Sequence, residues 1–257
     1  MQPEIDLGPV TLQTFGLMMG LAFVVAGLAA SRFLKELGKP VDWAYEMVFA
    51  ALVGGIVGAR LWWVAENWSE AQDDFIGSLF SGSGLVWYGG ALGGAAAVIL
   101  WAWRRRWLTL QMLDVAAVPL AAGYAIGRIG CQLAGDGDYG IPWDGPWAMA
   151  YPDGTVPTTE GVHPTPVYET LAMGAVALLL WRWRHRWRPG TLFALYLVLA
   201  GAERFLVEFV RRNEDVLLGL TQPQVLSIVM MAAGGIWLWV RRPAPSAAPA
   251  GAARQRA

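Results

Sequence analysis

The amino-acid sequence predicts an all-α, polytopic membrane protein of about seven transmembrane helices. Three observations carry that expectation: an apolar composition, seven apolar windows near spanning length, and connections that alternate between basic and acidic. Of 257 residues, 56% are hydrophobic and only 15% are charged, with a mean hydropathy of +0.41. Soluble domains carry roughly 25% charge, so the chain is expected in a bilayer. The net charge of -1 conceals a segregation of basic from acidic loops, and nothing in it suggests nucleic-acid binding.

A spanning helix needs about 20 mainly apolar residues, and windows of that kind fall near 10–30, 44–65, 85–103, 112–134, 167–183, 191–210 and 221–240. The fourth and sixth contain charge and the fifth is short, which leaves six helices as the alternative. Lys and Arg in short loops mark the cytoplasmic side. They occur in the first loop (Arg32, Lys35, Lys39), the third (Arg104, Arg105, Arg106), the fifth (Arg182, Arg184, Arg186, Arg188) and after the last window (Arg241, Arg242). The second loop has Glu66, Glu70, Asp73 and Asp74 and no basic residue, and from Ile129 to Trp181 the only basic side chain is His163. The N-terminus is therefore expected outside and the C-terminus in the cytoplasm; removing one helix would put a basic loop on the wrong side.

Glu4 and Asp6 precede the first window where a signal peptide would carry Lys or Arg, so that window is read as a retained helix. Small residues four apart (Gly54 and Gly58, Gly89 and Gly93, Gly90 and Gly94, Gly123 and Gly127) suit close helix approach, and helices two, three and four are expected to form a tight group. Residues 1–242 read as one transmembrane domain, with a long outer loop near 135–166 that serves as a cap or a docking surface. Residues 243–257, rich in Ala, Pro and Arg, read as a disordered cytoplasmic tail. The fifteen Trp residues suit interfacial belts.

The functional signal lies in charges that hydropathy alone would forbid. Arg60, Arg128, Glu169, Glu203, Arg204 and Glu208 fall within the windows, and Arg211 follows the sixth. An Arg at mid-bilayer costs about 2.5 to 3.5 kcal/mol on insertion scales, so these groups need partners or a polar cavity. Arg204, Glu208 and Arg211 lie at i, i+4 and i+7 and share one helix face. Either they form a structural ion-pair ladder, or, with Arg128 and Glu169, they line an outward-facing pocket. Guanidinium groups match phosphate oxygens in bidentate geometry, and an anionic phospholipid headgroup fits that depth and charge. Cys131 reads as a small buried thiol. Asp136 and Asp138 lack the remaining ligands of an EF-hand, so no metal is expected, and His163 before Pro164 suits a helix cap as well as catalysis. His185, amid Arg residues, reads as solvated.

Together GAR (Gly58–Arg60), WYGG (Trp87–Gly90), GYAIGRIGCQLAGDGDYG (Gly123–Gly140), HPTPVYE (His163–Glu169) and ERFLVEFVR (Glu203–Arg211) resemble the prolipoprotein diacylglyceryl transferase family. The motifs stand in the family's order, and the resemblance runs from about Gly16 to Trp239. It implies a multi-pass enzyme of the bacterial inner membrane that transfers diacylglyceryl from phosphatidylglycerol to the lipobox cysteine of a preprolipoprotein signal peptide. No cofactor is implied. Carried over by position, Arg128, Arg204, Glu208, Asp136, Tyr88 and His163 are the catalytic candidates. Arg128, Arg204, Arg60, Glu169 and Tyr168 are the phosphatidylglycerol-binding candidates. The chain departs from the family pattern at Tyr88, where the family commonly has His in HGG, at Asp136 for Glu, at Cys131 for Asn and at Ala200 for Tyr. A phenol with reference pKa near 10 is a weaker acceptor than imidazole near 6.5, which leaves the proton acceptor open among Asp136, Glu208 and His163. A paralogous lipid transferase with a different acceptor, and a non-enzymatic protein that binds anionic lipid, are the alternatives.

Overall fold

The computed structural model describes residues 1–6, 8–9, 11–72, 76–77 and 86–241. Asp73, Asp74, Arg242 and the whole tail expected at 243–257 lie outside them. Among the described residues, seven long helices account for most of the chain: α1 (Thr14–Glu36), α2 (Asp42–Glu66), α3 (Trp87–Arg104), α4 (Leu110–Ala134), α5 (Thr165–Trp183), α6 (Thr191–Val207) and α7 (Gln222–Arg241). Each overlaps one of the seven apolar windows. Four of them, α1, α2, α4 and α7, are long and apolar enough to cross a membrane. The other three are weaker for visible reasons: α3 is diluted by Gly and Trp, α5 carries Glu169 and Arg182, and α6 has 17 residues including Glu203 and Arg204.

Several helix ends follow simple electrostatics. Lys35, Arg104, Arg182 and Arg241 sit in last turns, where the negative end of the helix dipole favours them. Gly190 begins α6 at φ 94, a left-handed conformation that glycine adopts without a Cβ penalty. The cap itself comes from α4: Asp114 accepts the Gly190 N–H at 2.7 Å through Oδ2 and the Phe193 N–H at 2.9 Å through Oδ1. Pro119 lies inside α4 without ending it.

The chain divides into two compact units, Met1–Ala29 with Leu113–Ala257, and Ala30–Met112. In the smaller unit α2 and α3 pack through their glycines. A Cβ on Gly58 would fall 2.7 Å from the Gly93 Cα, and one on Gly93 the same distance from the Gly58 Cα. Only hydrogen side chains permit that approach. Trp43, Trp101 and Trp107 form mutual ring contacts at 5.1 to 6.1 Å beside this pair, and Glu46 accepts from Trp101 Nε1 at 2.7 Å and pairs with Arg105 at 2.5 Å. The expected tight role of Gly123 and Gly127 is not realised, because a Cβ at either would meet nothing within 4 Å. The spacing that licenses close packing is therefore used in α2 and α3 but not in α4.

The larger unit begins with a short antiparallel hairpin, β1 (Glu4–Asp6) with β2 (Thr11–Gln13), leading into α1. On α1, Leu17, Leu21, Val24 and Leu28 are 40 to 58% exposed along one helical stripe, an apolar face of the kind that bilayer, not water, covers. The loop after α4 is ordered: β3 (Met149–Tyr151) pairs antiparallel with β4 (Thr158–Val162). Tyr139, Tyr151 and Val162 form a small buried core beneath the pair, with the two phenol rings stacked at 4.8 Å. Burial pushes the Tyr151 hydroxyl up to about 12. After α6 a 3₁₀ turn (Glu208–Val210) leads to the hairpin β5 (Asp215–Leu217) with β6 (Leu220–Thr221) and into α7.

Candidate functional site

On α4, Tyr124, Arg128 and Cys131 succeed one another at helical spacing on one face. The helix then stops at two glycines in the left-handed region, Gly135 at φ 58 and Gly137 at φ 90, and the chain turns Asp138 back toward Arg128. The turn is fixed by Asp136 Oδ1, which accepts the Asp138 N–H at 3.2 Å. Backbone bonds tie this loop to the start of α5 and the end of α6: the Gly140 N–H donates to His163 O at 2.8 Å and the Ile141 N–H to Val210 O at 2.9 Å. Arg212 Nε adds a bond to Gly140 O at 2.8 Å.

These constraints gather three guanidinium groups and three carboxylates. Arg128 is ion-paired with Asp138 through Nη1 and with Glu169 through Nε, and its ring-facing side lies over Tyr124 at 5.0 Å. Glu169 also receives Arg204 Nη1 at 2.9 Å and Arg211 Nη1 at 3.4 Å. Arg204 Nη2 reaches Glu208 Oε2 at 2.8 Å, and Arg211 reaches Glu208 Oε2 at 3.7 Å and Asp138 Oδ1 at 2.5 Å. Glu208 is further held by Asn213 and Thr221, which donate to Oε1 at 2.6 and 2.7 Å.

The formal charges balance, and burial is uneven. The side chains of Glu169 and Glu208 are fully buried, whereas those of Arg128 and Arg204 keep 16% and 20% exposure. Glu169 and Glu208 thus lie deeper than Arg128 and Arg204 and orient them, whereas Asp138, at 32% exposure, is the most accessible member of the cluster. Outside the helices, burial raises the Asp138 carboxyl, but the charges of Arg128 and Arg211 outweigh burial and hold it at about 2. Asp136 moves the other way: burial and then the neighbouring Asp138 charge raise it. Cys131 Sγ and carboxylate oxygens of Asp136 and Asp138 lie within 4.8 Å of one another. Asp138 is already engaged by two guanidinium groups, so a cation there would compete with Arg128 and Arg211.

A pocket of about 520 Å³ borders this cluster, with Trp147, His163, Tyr168, Glu203, Leu206 and Val210 in its wall. His163 does not cap α5: the capping position is Pro164, with no side-chain bond. Its ring instead stacks on Trp143 at 4.4 Å, and its Nδ1 lies 3.2 Å from the Tyr168 hydroxyl. That hydroxyl accepts Trp147 Nε1–H at 2.8 Å.

Arg128, Glu169, Arg204 and Glu208 therefore meet in one network, Asp136 lies beside it through Cys131 and Asp138, and His163 and Tyr168 line the adjoining pocket. Arg60 and Tyr88 belong to the smaller unit. There Arg60 is buried, with its guanidinium 4.3 Å from the Trp63 ring, and Tyr88 contacts Trp87 edge-on. Two members of the network stood outside the sequence-derived site. Asp138 was visible only as an acid in DGDYG, and Arg211 only as the third rung of the α6 ladder; their convergence depends on the turn at Gly135 and Gly137.

Comparison with known proteins points in one direction. The sequence profile of the family described as prolipoprotein diacylglyceryl transferase matches residues 3–240. A phosphatidylglycerol--prolipoprotein diacylglyceryl transferase of Paraburkholderia phymatum is 33% identical, covering 96% of this chain and 95% of its own length. One of Clostridium tetani is 31% identical, covering 82% and 86%, and one of Thermosynechococcus vestitus is 32% identical, covering 90% and 88%.

Proposed function

The chain belongs to the prolipoprotein diacylglyceryl transferase family, and on that premise we propose that it transfers a diacylglyceryl group from phosphatidylglycerol to the cysteine thiol of a prolipoprotein. The observation that carries this reading is the three-guanidinium cluster backed by the buried carboxylates Glu169 and Glu208, with Arg128 and Arg204 as its more exposed guanidinium groups. In the reaction the sulfur attacks the glyceryl carbon, the carbon–oxygen bond to phosphate breaks, and glycerol phosphate leaves. Arg128 and Arg204 hold the phosphate and stabilise the charge that grows on it, and such preorganised donors contribute several kcal/mol to a barrier. Glu169 and Glu208 fix the guanidinium orientations. Arg60 and Tyr168 are assigned to lipid binding, and Asp136, Tyr88 and His163 remain catalytic candidates, by correspondence with the family motifs.

The proposed setting is the bacterial inner membrane, with all seven helices spanning one transmembrane domain over residues 1–242. In that topology the N-terminus is outside, the C-terminus is cytoplasmic and the cluster opens to the outer leaflet. The basic connections 32–39, 104–106 and 182–188 support it, since they follow the first, third and fifth helices and so share one side when all seven span. Preprolipoprotein signal peptides are the proposed acceptors. Tyr88, standing where the family commonly has His, favours one second reading, a paralogue with another lipid acceptor.

The test is complementation of cells depleted of their own transferase, with mass spectrometry of a lipobox substrate and Arg128→Ala as control. A diacylglyceryl thioether that requires Arg128 supports the proposal. Well-expressed, membrane-inserted protein that modifies no lipobox cysteine sinks it in favour of the paralogue. Full activity of Tyr88→Phe would exclude the phenol as proton acceptor.

A further inference from the structure

Successive residues on a helix point about 100° apart, and two such steps separate the pocket from the cation cluster. On α5, Tyr168 lines the pocket while Glu169 joins the cluster; on α6, Glu203 lines the pocket while Arg204 joins the cluster. One wall therefore serves both. Glu203 lies within electrostatic reach of the Glu169 carboxylate and of Arg204, Arg128 and Arg211, so a group in the pocket sits beside whatever the guanidinium groups hold.

Apart from its polar corner the pocket is faced by apolar side chains, Leu206 and Val210 among them. Its hydrogen-bonding capacity is small and defined. Trp147 Nε1 can only donate, so the Tyr168 oxygen accepts it, and the same hydroxyl is hydrogen-bonded to His163 Nδ1. His163 Nδ1 is therefore already engaged. Glu203 differs: its Oε1 is buried and has no hydrogen-bond partner. The other carboxylates nearby are engaged: Glu169 by three Arg residues, and Glu208 by Arg204, Arg211, Asn213 and Thr221.

We propose that this pocket receives the acceptor cysteine and its apolar neighbours, and that Glu203 is the residue that takes the thiol proton. A mostly apolar surface cleft with one unpartnered carboxylate oxygen suits a single proton donor within an apolar peptide better than a glycerol headgroup, whose two hydroxyls would need several polar partners. The inference rests on the transferase reading above. In the step, the S–H proton moves to the Glu203 carboxylate and the sulfur forms a bond to the glyceryl carbon. The carbon–oxygen bond breaks with its electron pair going to the glycerol phosphate held by Arg128 and Arg204. The proton then leaves with that product, and Glu203 is restored. Tyr88, in place of a histidine, is relieved of the base role.

The experiment compares two lipobox peptides, one with cysteine and one with selenocysteine, whose selenol is ionised at neutral pH without a base. The purified full chain and Glu203→Gln are assayed with phosphatidylglycerol vesicles. Removing a general base slows transfer by about 100-fold or more, so Glu203→Gln should lose that factor with the cysteine peptide. It should stay within about threefold of the native protein with the selenocysteine peptide. Equal slowing with both peptides, which is what a merely structural Glu203 would give, overturns the inference, as does an unaffected cysteine reaction. The native protein supplies a second reading that does not depend on the variant's folding. Its rate should fall at low pH for cysteine with a limb that selenocysteine lacks, and identical profiles would also overturn the role. Native protein that modifies neither peptide refutes the transferase reading itself, a different failure from modification that ignores Glu203.

Discussion

Replacing Glu169 by Gln removes one negative charge while keeping the side chain's shape. In the native cluster three guanidinium groups (Arg128, Arg204, Arg211) face three carboxylates (Asp138, Glu169, Glu208). Among the described residues Glu169 alone pairs with all three cations, and its side chain is fully buried. The variant leaves three positive charges against two. Breaking a buried ion pair by removing one partner costs about 3 to 5 kcal/mol. The residual exposure of 16% for Arg128 and 20% for Arg204 favours the lower end, about 3 kcal/mol. At about 2 to 4 °C per kcal/mol for a chain of this size, Glu169→Gln should lower Tm by roughly 6 to 12 °C in detergent or nanodiscs. The missing charge also creates a test of what the cluster binds. Millimolar glycerol phosphate should recover a larger part of the Tm in Glu169→Gln than it adds to the native protein, because the anion occupies the vacated electrostatic position. A Tm shift under about 2 °C would refute the idea that Glu169 holds the cluster together, and a shift without recovery by the anion would refute phosphate as its complement.

The two uses of glycine spacing predict opposite outcomes. Gly58→Leu, which forces carbon onto the Gly93 backbone, should cost at least 1 to 3 kcal/mol, whereas Gly127→Ala, with open space around it, should change Tm by less than about 2 °C. Asp138 predicts an acid-sensitive component of stability. Its carboxyl is lowered from 3.8 to about 2 by Arg128 and Arg211, so the folded state is favoured above the unfolded-state value and the gain is lost as pH falls from about 4 to about 2. Unattenuated, that shift is worth about 2.4 kcal/mol; with the side chain 32% exposed, about 1 to 2 kcal/mol is expected. Thermal melts at pH 6 and pH 3 should therefore differ less in Asp138→Asn than in the native protein. Asp114→Ala leaves the Gly190 and Phe193 N–H groups without their acceptor. It should lose about 2 kcal/mol, read as a lower Tm and faster hydrogen exchange at residues 190–193.

Much of this protein was legible in one dimension because the properties involved are local. Helix formation over seven windows needs only the run of apolar residues, so α1 to α7 overlap the windows, with most ends moved by a few residues and the start of α6, capped at Gly190 by Asp114, falling where the window begins. The i, i+4, i+7 spacing on α6 already aligned Arg204, Glu208 and Arg211, and the pairing of Arg204 with Glu208 follows from helix geometry alone. The motifs around Arg128, Glu169 and Arg204 were readable as one site because buried charge demands partners.

Other features depend on residues far apart in the chain. Gly123 and Gly127 repeat the spacing of Gly54 and Gly58, yet only the latter meet a neighbouring backbone; the sequence states that a helix can be approached, and the packing decides whether it is. Asp138 entered the cluster because left-handed glycines at 135 and 137 reverse the chain after α4. His163 and Trp147, sixteen residues apart in the chain, meet at the Tyr168 hydroxyl. Glu203 was one charge among several until the fold gave Glu169 and Glu208 their partners and left its oxygen without one. Composition and spacing thus determined that the chain is helical, belongs with lipid and carries buried charge. Tertiary structure decided which charges neutralise each other and which remain available, because that outcome depends on distances between segments that sequence order does not fix.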